Sequence, residues 1–342
     1  MKTNINVVAE KAGVSIATVS RAFNEKELVK EETRSRIIKI ARDLNYKPSP
    51  IARGLSTQTT DTIGVILPDL VGEFFMDIIH GIDEEAYKAN RYVMVSSSHS
   101  QRNMVEMLIE FMASGRVDGV ILMAPQMHKE VDEFLRKSKR PIVLINSCSD
   151  LTNVVNFQID NYGGAYNCVE HLVGHGYKKI AIMKGPSANC DAQERFLGYR
   201  DALAKNKLNV NQLFEVRGDF QIKSGYYAFL KLMNQTNKPD AIFISNDMMA
   251  IGAYEAAKFL KIKIPEDVAV VGFDDIYLSK LLNPRLTTMH VPISELGAKA
   301  LNYLLKMISD EVNPKQAYKE VFPTELVIGG SCGCSNFYQS LI

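Results

Sequence analysis

Val14-Ser15-Ile16-Ala17-Thr18-Val19-Ser20-Arg21-Ala22 has the pattern of the second helix of a helix-turn-helix. Ser15 is placed to cap it, because its hydroxyl can accept a hydrogen bond from the otherwise unpaired amide of Ala17 or Thr18. Gly13, two residues earlier, permits the tight turn, and the apolar start from Ile5 to Ala9 supplies the helix before it. Val19 then faces inward, leaving Ile16, Ala17, Ser20 and Arg21 to project outward. Downstream, between Val29 and Asn45, residues Ile37, Ile40, Ala41 and Leu44 recur at the spacing of an amphipathic third helix. Three short helices can thus close a small core, which Tyr46-Lys47-Pro48 ends, since Pro48 disfavours helix at the residue before it.

The next element, Ser49-Pro50-Ile51-Ala52-Arg53-Gly54-Leu55-Ser56, has a cap at Ser49 and a proline at the first helical position, where its missing amide costs nothing. Isolated helices need about 12–15 residues in water, and Gly54 costs roughly 1 kcal/mol more. We expect this helix to be conditional, folding only when a partner surface supports it.

A chain of 342 residues fits two large domains plus a small appendage. Net charge is only +1, but residues 1–57 hold 11 Lys/Arg against 6 Asp/Glu, leaving 29 against 33 for the rest. A basic amino-terminal module on a mildly acidic body suits a small part that meets phosphates. The five cysteines are scattered and odd in number, so reduced thiols are expected rather than a disulfide framework. Met1-Lys2-Thr3-Asn4 lacks the apolar core of a signal peptide, and no run approaches the roughly 18 apolar residues of a membrane helix, so a cytoplasmic location is expected.

From Thr62 the pattern changes to strand-length apolar runs that alternate with amphipathic helices. Ile63–Leu67, Tyr92–Ser96, Gly119–Met123 and Ile142–Ile145 alternate with helices at Phe74–Ala89, Asn103–Ser114 and Glu130–Lys137. After a break near Asp150 to Asn161 the theme resumes, with strands at Lys179–Met183, Ala241–Ile244 and Val268–Phe273. Its helices fall at Gly163–His175, Gln193–Asn206, Lys223–Leu232 and Met248–Leu260. Buried runs each followed by a helix indicate parallel sheets covered on both faces. The fold class is therefore a small all-α helix-turn-helix domain plus an α/β body of two doubly wound parallel-sheet subdomains. A last helix, Ser294–Ile308, and a strand-like Thr324–Ile328 cross back to finish the sheets.

The segment Val8-Ala9-Glu10-Lys11-Ala12-Gly13-Val14 leading into Ser15–Arg21, followed by Asn45-Tyr46-Lys47-Pro48 and Ala52-Arg53-Gly54-Leu55, resembles the lactose-repressor family of bacterial transcription regulators. Asn246-Asp247-Met248-Met249-Ala250-Ile251-Gly252-Ala253, Val271-Gly272-Phe273-Asp274-Asp275 and Leu286-Thr287-Thr288 extend the resemblance through the chain, with the purine-repressor and catabolite-control branches closer than the lactose repressor itself. It implies a periplasmic-binding-protein-like body at 61–331, built of subdomains at about 61–159 with 291–320 and about 160–290 with 321–331. The remaining parts are a DNA-binding domain at 1–48, a hinge helix or linker at 49–60 and a tail at 332–342. Ile16, Ala17 and Arg21 are implied to meet base edges, with Ser15, Thr18, Ser20 and Asn24 positioning the backbone. Arg21 can bond guanine bidentately, whereas Ile16 and Ala17 offer apolar contact, for example to thymine methyls. Leu55 is implied to wedge into the minor groove, with Ala52 and Arg53 beside it. Val7 departs from the family, which often has an acidic residue there, so the first helix starts with less help from its dipole.

Doubly wound sheets bind ligands at the carboxyl ends of their strands. Phe74, Phe75, Asp160, Arg195, Phe220, Asn246 and Asp274 fall at such ends, and the resemblance implies that they hold a small-molecule effector, a sugar or related polar ring. Asp247, Asp275 and one of Phe74 and Phe75 read equally as structural. The expected partners are operator DNA, this effector and a second copy of the chain, with no membrane, cofactor, metal or catalytic site. A regulator driven by a phosphorylated carrier protein is the rival within the class; Arg195 argues against that as its sole input. A solute-receptor protein would fit the body alone, but residues 1–57 argue against it. His171 and His175 lie four apart but show no acidic third ligand. Cys332-Gly333-Cys334 could bind a soft metal only with partners from elsewhere, so the histidine pair reads as structural and the cysteine pair as part of a mobile reduced tail. Gly163-Gly164 lacks the spacing of a dinucleotide fingerprint.

Overall fold

The computed structural model describes residues 4–24, 28–46, 59–68, 72–97, 104–113, 115–126, 129–149, 151, 154–313 and 316–334. The amino-terminal module is three helices, α1 (Ile5–Ala12), α2 (Ile16–Asn24) and α3 (Glu31–Asp43). Its core is Val8, Ala9, Ala12, Val19, Ala22, Ile37 and Ala41. Asn4 caps α1 by accepting from the Val7 amide at 3.2 Å, which offsets the missing acidic residue in the first turn. Gly13 takes the left-handed conformation (φ 63°) that ends α1. Ser15 accepts from the Thr18 amide at 3.1 Å, as the sequence predicts, a bond worth about 1 kcal/mol. Arg34 of α3 donates from Nε to the carbonyl of Ala22 at 3.3 Å, tying the end of α2 to the third helix.

The body holds two parallel sheets. The first half contains β1 (Thr62–Leu67), α4 (Glu73–Lys88), β2 (Tyr92–Ser97), α5 (Met104–Ala113), β3 (Gly119–Met123), α6 (Lys129–Lys137), β4 (Ile142–Ile145) and β5 (Val155–Ile159). The second contains α7 (Asn161–Gly174), β6 (Ile180–Lys184), α8 (Cys190–Lys205), β7 (Glu215–Arg217), α9 (Ile222–Met233), β8 (Ala241–Ile244), α10 (Asp247–Leu260) and β9 (Ala269–Val271). The chain then returns through β10 (Thr288–His290), α11 (Ile293–Ile308), β11 (Tyr318–Phe322) and β12 (Glu325–Val327). Strand order is β11-β5-β4-β3-β1-β2 in the first sheet and β7-β6-β8-β9 in the second, with β10 and β12 forming an antiparallel pair. The order reverses beside β1 and beside β6, so a crevice at the carboxyl ends is expected between β1 and β3 and between β6 and β8.

Both faces of each sheet are covered. Ile66, Leu122 and Leu144 pack under Leu108 of α5 and Leu135 of α6, while Met183 and Ile244 pack under Phe229 of α9 and Ala253 of α10. On the opposite faces one apolar cluster runs through both halves, joining Ile63 and Ile82 to Ile182, Tyr199 and Phe243.

Five sequence expectations need correction. The strand at Thr324–Ile328 does not finish either parallel sheet: among the described residues β12 pairs antiparallel with β10 alone. The break near Asp150 to Asn161 contains β5, whose Asn156 and Gln158 interrupt the apolar run and instead donate to the Ser147 carbonyl at 2.8 and 3.1 Å. β11 is an edge strand, Tyr-Lys-Glu-Val-Phe, paired only with β5, and its solvated face leaves no run to find. The tail does not begin at 332: Cys332 is fully buried. Ser331 holds it there, donating to the Val270 carbonyl at 2.6 Å and accepting from the Thr287 amide at 2.7 Å. Cys148 and Cys190 are joined in a disulfide. The topology brings the end of β4 to the start of α8, a pairing that spacing in the sequence does not disclose.

Candidate functional site

Arg195, on the second turn of α8, is 3% exposed. Its Nε donates to Asn161 Oδ1 at 2.8 Å, and a terminal nitrogen donates to the Ser245 carbonyl at the end of β8. Its other terminal nitrogen lies 3.3 Å from Asp274 Oδ1, and the guanidinium carbon sits 3.8 Å over the Phe273 ring. Asp191, one turn earlier, accepts from Asn161 at 3.0 Å and from Asn146 at 3.2 Å. Asn146 follows β4 in the first half, so this polar array crosses from one half to the other at the strand ends.

Burial pushes the Asp191 carboxyl up to about 7, against the pull of Arg195 and with Glu194 and Asp274 adding to the rise. Burial likewise raises Asp274 to about 6, with Arg195 opposing. Asp274 also holds a backbone φ of 113°, in the region where non-glycine residues are strained. Its buried Oδ1 faces the Arg195 guanidinium, which is its charged partner.

Of the expected effector residues, the structure brings Arg195, Asp274 and Phe220 together, the Phe220 ring lying 5.9 Å from the guanidinium. Asn246 joins them by donating to the Phe220 carbonyl at 3.1 Å, and also caps α10 by accepting from Met249. Asp160 caps α7, accepting from Gly163 at 2.8 Å. Phe74 and Phe75 form an edge-to-face pair at the start of α4, centroids 5.5 Å apart. Asp247 is buried and engaged by the Thr288 hydroxyl and the Ile276 amide, and Asp275 lies 3.0 Å from His290 Nδ1. Asn146, Asn161, Asp191 and Phe273 are absent from the sequence expectation; the three polar ones each follow a strand end or open a helix.

On α2 the Ile16 side chain is half exposed, Ala17 and Arg21 are exposed, and Thr18 and Ser20 are half-buried. Ser15 spends its hydroxyl on the cap and lies 2.9 Å from the Thr18 hydroxyl. The Asn24 side chain, Ala52, Arg53, Leu55 and nearly all of 49–60 lie outside the described residues. Where that linker joins the body, Asp118 accepts from the Thr60 amide at 2.6 Å, the Asp61 amide at 3.0 Å and Arg91 at 2.7 Å.

Residues 4–49 match the family of bacterial regulatory proteins of the lacI type, and residues 169–332 match a periplasmic binding protein-like domain. Catabolite control protein A of Priestia megaterium is 33% identical over 312 residues, covering 91% of this chain and 94% of that protein. The chain belongs to the lacI family of bacterial regulatory proteins. This lacI-family chain is a DNA-binding transcriptional repressor with an effector-binding body, and not an enzyme. Its fold resembles the Lac repressor dimer bound to operator and the anti-inducer ONPF, with TM-score 0.86 and 27% identity, covering 97% of this chain and 99% of that one. It also resembles the transcriptional regulator CelR–cellobiose complex, with TM-score 0.73 and 26% identity over 96% of this chain and 99% of that one. Among the described residues no helix of the lacI-family chain is long and apolar enough to cross a membrane.

Proposed function

We propose that two copies of the chain bind a pseudo-palindromic operator in the cytoplasm, controlled by a polar-ring effector, a sugar or nucleoside-like molecule, between the halves of the body. Asp274 carries the effector reading: a buried carboxylate on strained backbone, paired with a buried guanidinium. A hydroxylated ring needs that pairing, because each hydroxyl both donates and accepts. Phe220 and Phe273 add apolar faces for its carbon skeleton, and Phe74, Phe75, Asp160 and Asn246 complete the proposed lining. The cellobiose bound to CelR supports a ligand of this class.

One recognition helix reads only a few base pairs, so a twofold pair matched to two half-sites is the economical solution. The Lac repressor dimer on its operator supports that assembly. The exposed apolar side chains of Tyr277, Leu278 and Leu281 offer surface for a second copy. In the proposed linkage, effector closes the halves, shifts the amino-terminal sides of the dimer, and sets whether the two 49–60 segments pair on DNA.

The test is a thermal-shift screen over sugars, sugar phosphates and nucleosides, where ligand at about 100 times its Kd adds roughly 2.7 kcal/mol of stability. The expected result is at least one shift, abolished in Arg195→Ala and in Asp274→Asn while both variants keep native circular dichroism. An Arg195→Ala protein that retains every small-molecule response unchanged would remove the cleft reading.

A further inference from the structure

His171 and His175, one turn apart at the end of α7, have ring centroids 4.7 Å apart. The fold carries Cys332 and Cys334 to them: Gly333 turns between the two with a φ of 91°, and the Tyr177 hydroxyl donates to the Cys332 carbonyl at 3.2 Å. His175 Nε2 lies 3.1 Å from Cys334 Sγ, and His171 Nε2 lies 3.9 Å from the same sulfur. One nitrogen or sulfur from each of the four residues falls within 4.8 Å of all the others.

Tetrahedral zinc sits about 2.3 Å from sulfur and 2.0–2.1 Å from nitrogen, which places its ligand atoms about 3.3–3.8 Å from one another. The four donors therefore need to draw together by about an ångström. Two imidazoles and two thiols suit zinc, whereas magnesium and calcium take oxygen ligands. An outer partner is already present, since Thr287 Oγ1 donates to Cys332 Sγ at 3.1 Å. Cys332 is buried, Cys334 half-buried and His175 exposed, so the site has a sealed side and an entry side.

We propose that His171, His175, Cys332 and Cys334 form a tetrahedral zinc site that staples the carboxyl-terminal segment to α7. On binding, both thiols release their protons to solvent and both imidazoles coordinate in the neutral form. All four ligands belong to the second half, so the staple is independent of the effector reading.

The experiment titrates the full-length chain, tag-free and kept reduced, with Zn²⁺ and then with Co²⁺ as a spectroscopic probe, with metal content measured by elemental analysis. One ion per chain is expected, with cobalt showing tetrahedral ligand-field bands and thiolate-to-metal charge transfer. Cys334→Ser and His175→Gln, whose side chains are not part of the sealed core, should each weaken zinc binding by more than the roughly 10–100-fold that an outer-shell loss costs. Three results would overturn the proposal: no stoichiometric metal, cobalt bound without thiolate charge transfer, or wild-type zinc affinity in both variants.

Discussion

Arg195 joins elements from the whole second half, since it touches the start of α7, the end of β8 and the turn after β9. Removing a buried partner of this kind leaves Asp274 and Asp191 uncompensated, at a cost of about 3–5 kcal/mol. Both carboxyls have folded-state values above the ordinary Asp value of 3.8, Asp274 at about 6 and Asp191 at about 7. The folded protein therefore holds protons that the unfolded chain gives up, and stability is lost as pH rises from near 4 through 6–7. Each group contributes at most about 1.4 kcal/mol per pH unit across its window. Urea denaturation of Asp191→Asn across that range should give a shallower loss than wild type; parallel profiles would show that Asp191 does not titrate there. Arg195 and Asp274 were legible because each falls at a strand end or helix start. Asn146, Asn161 and Asp191 were not, because their role depends on which strand ends become neighbours across the two halves.

Periodicity located the main helices and the fully buried strands, whose ends fall within a few residues of those predicted. It missed β5 and β11, where polar residues alternate with apolar ones or face solvent along an edge, and the three-residue β7 and β10, which are too short to show a period. The fit of helix to helix is equally silent in sequence. A Cβ on Gly225 of α9 would lie 2.0 Å from the Met249 carbonyl of α10, and one on Gly252 of α10 would lie 1.9 Å from the Ile222 carbonyl of α9. The two glycines thus let these helices approach backbone to backbone. Gly225→Ala and Gly252→Ala should each destabilise by at least about 1–3 kcal/mol, read as a lower urea midpoint. Gly174→Ala, at the end of α7 with nothing within 4 Å of the added methyl, should be neutral or stabilising by up to about 1 kcal/mol. Equal midpoints for all three would deny that close approach sets the α9–α10 packing.

At the scale of the whole molecule, backbone hydrogen bonds and a disulfide link the two halves beside the region where the effector is proposed to bind. Glu73 at the start of α4 accepts from the Tyr277 amide at 2.6 Å and the Leu278 amide at 3.2 Å. The Cys190 amide donates to the Pro125 carbonyl at 3.0 Å, beside the Cys148–Cys190 disulfide. A ligand that changes these contacts moves the first half relative to the second, and with it Asp118, which holds the end of the 49–60 linker. Ligand and DNA are then coupled by an exchange of free energy between distant sites, typically 5–150-fold in affinity. The most direct test is the operator affinity of the full chain by fluorescence anisotropy, on a DNA selected from a random pool, with and without saturating ligand from the thermal-shift screen. The account predicts that the two dissociation constants differ by at least about 5-fold, and identical values at saturating ligand would contradict it.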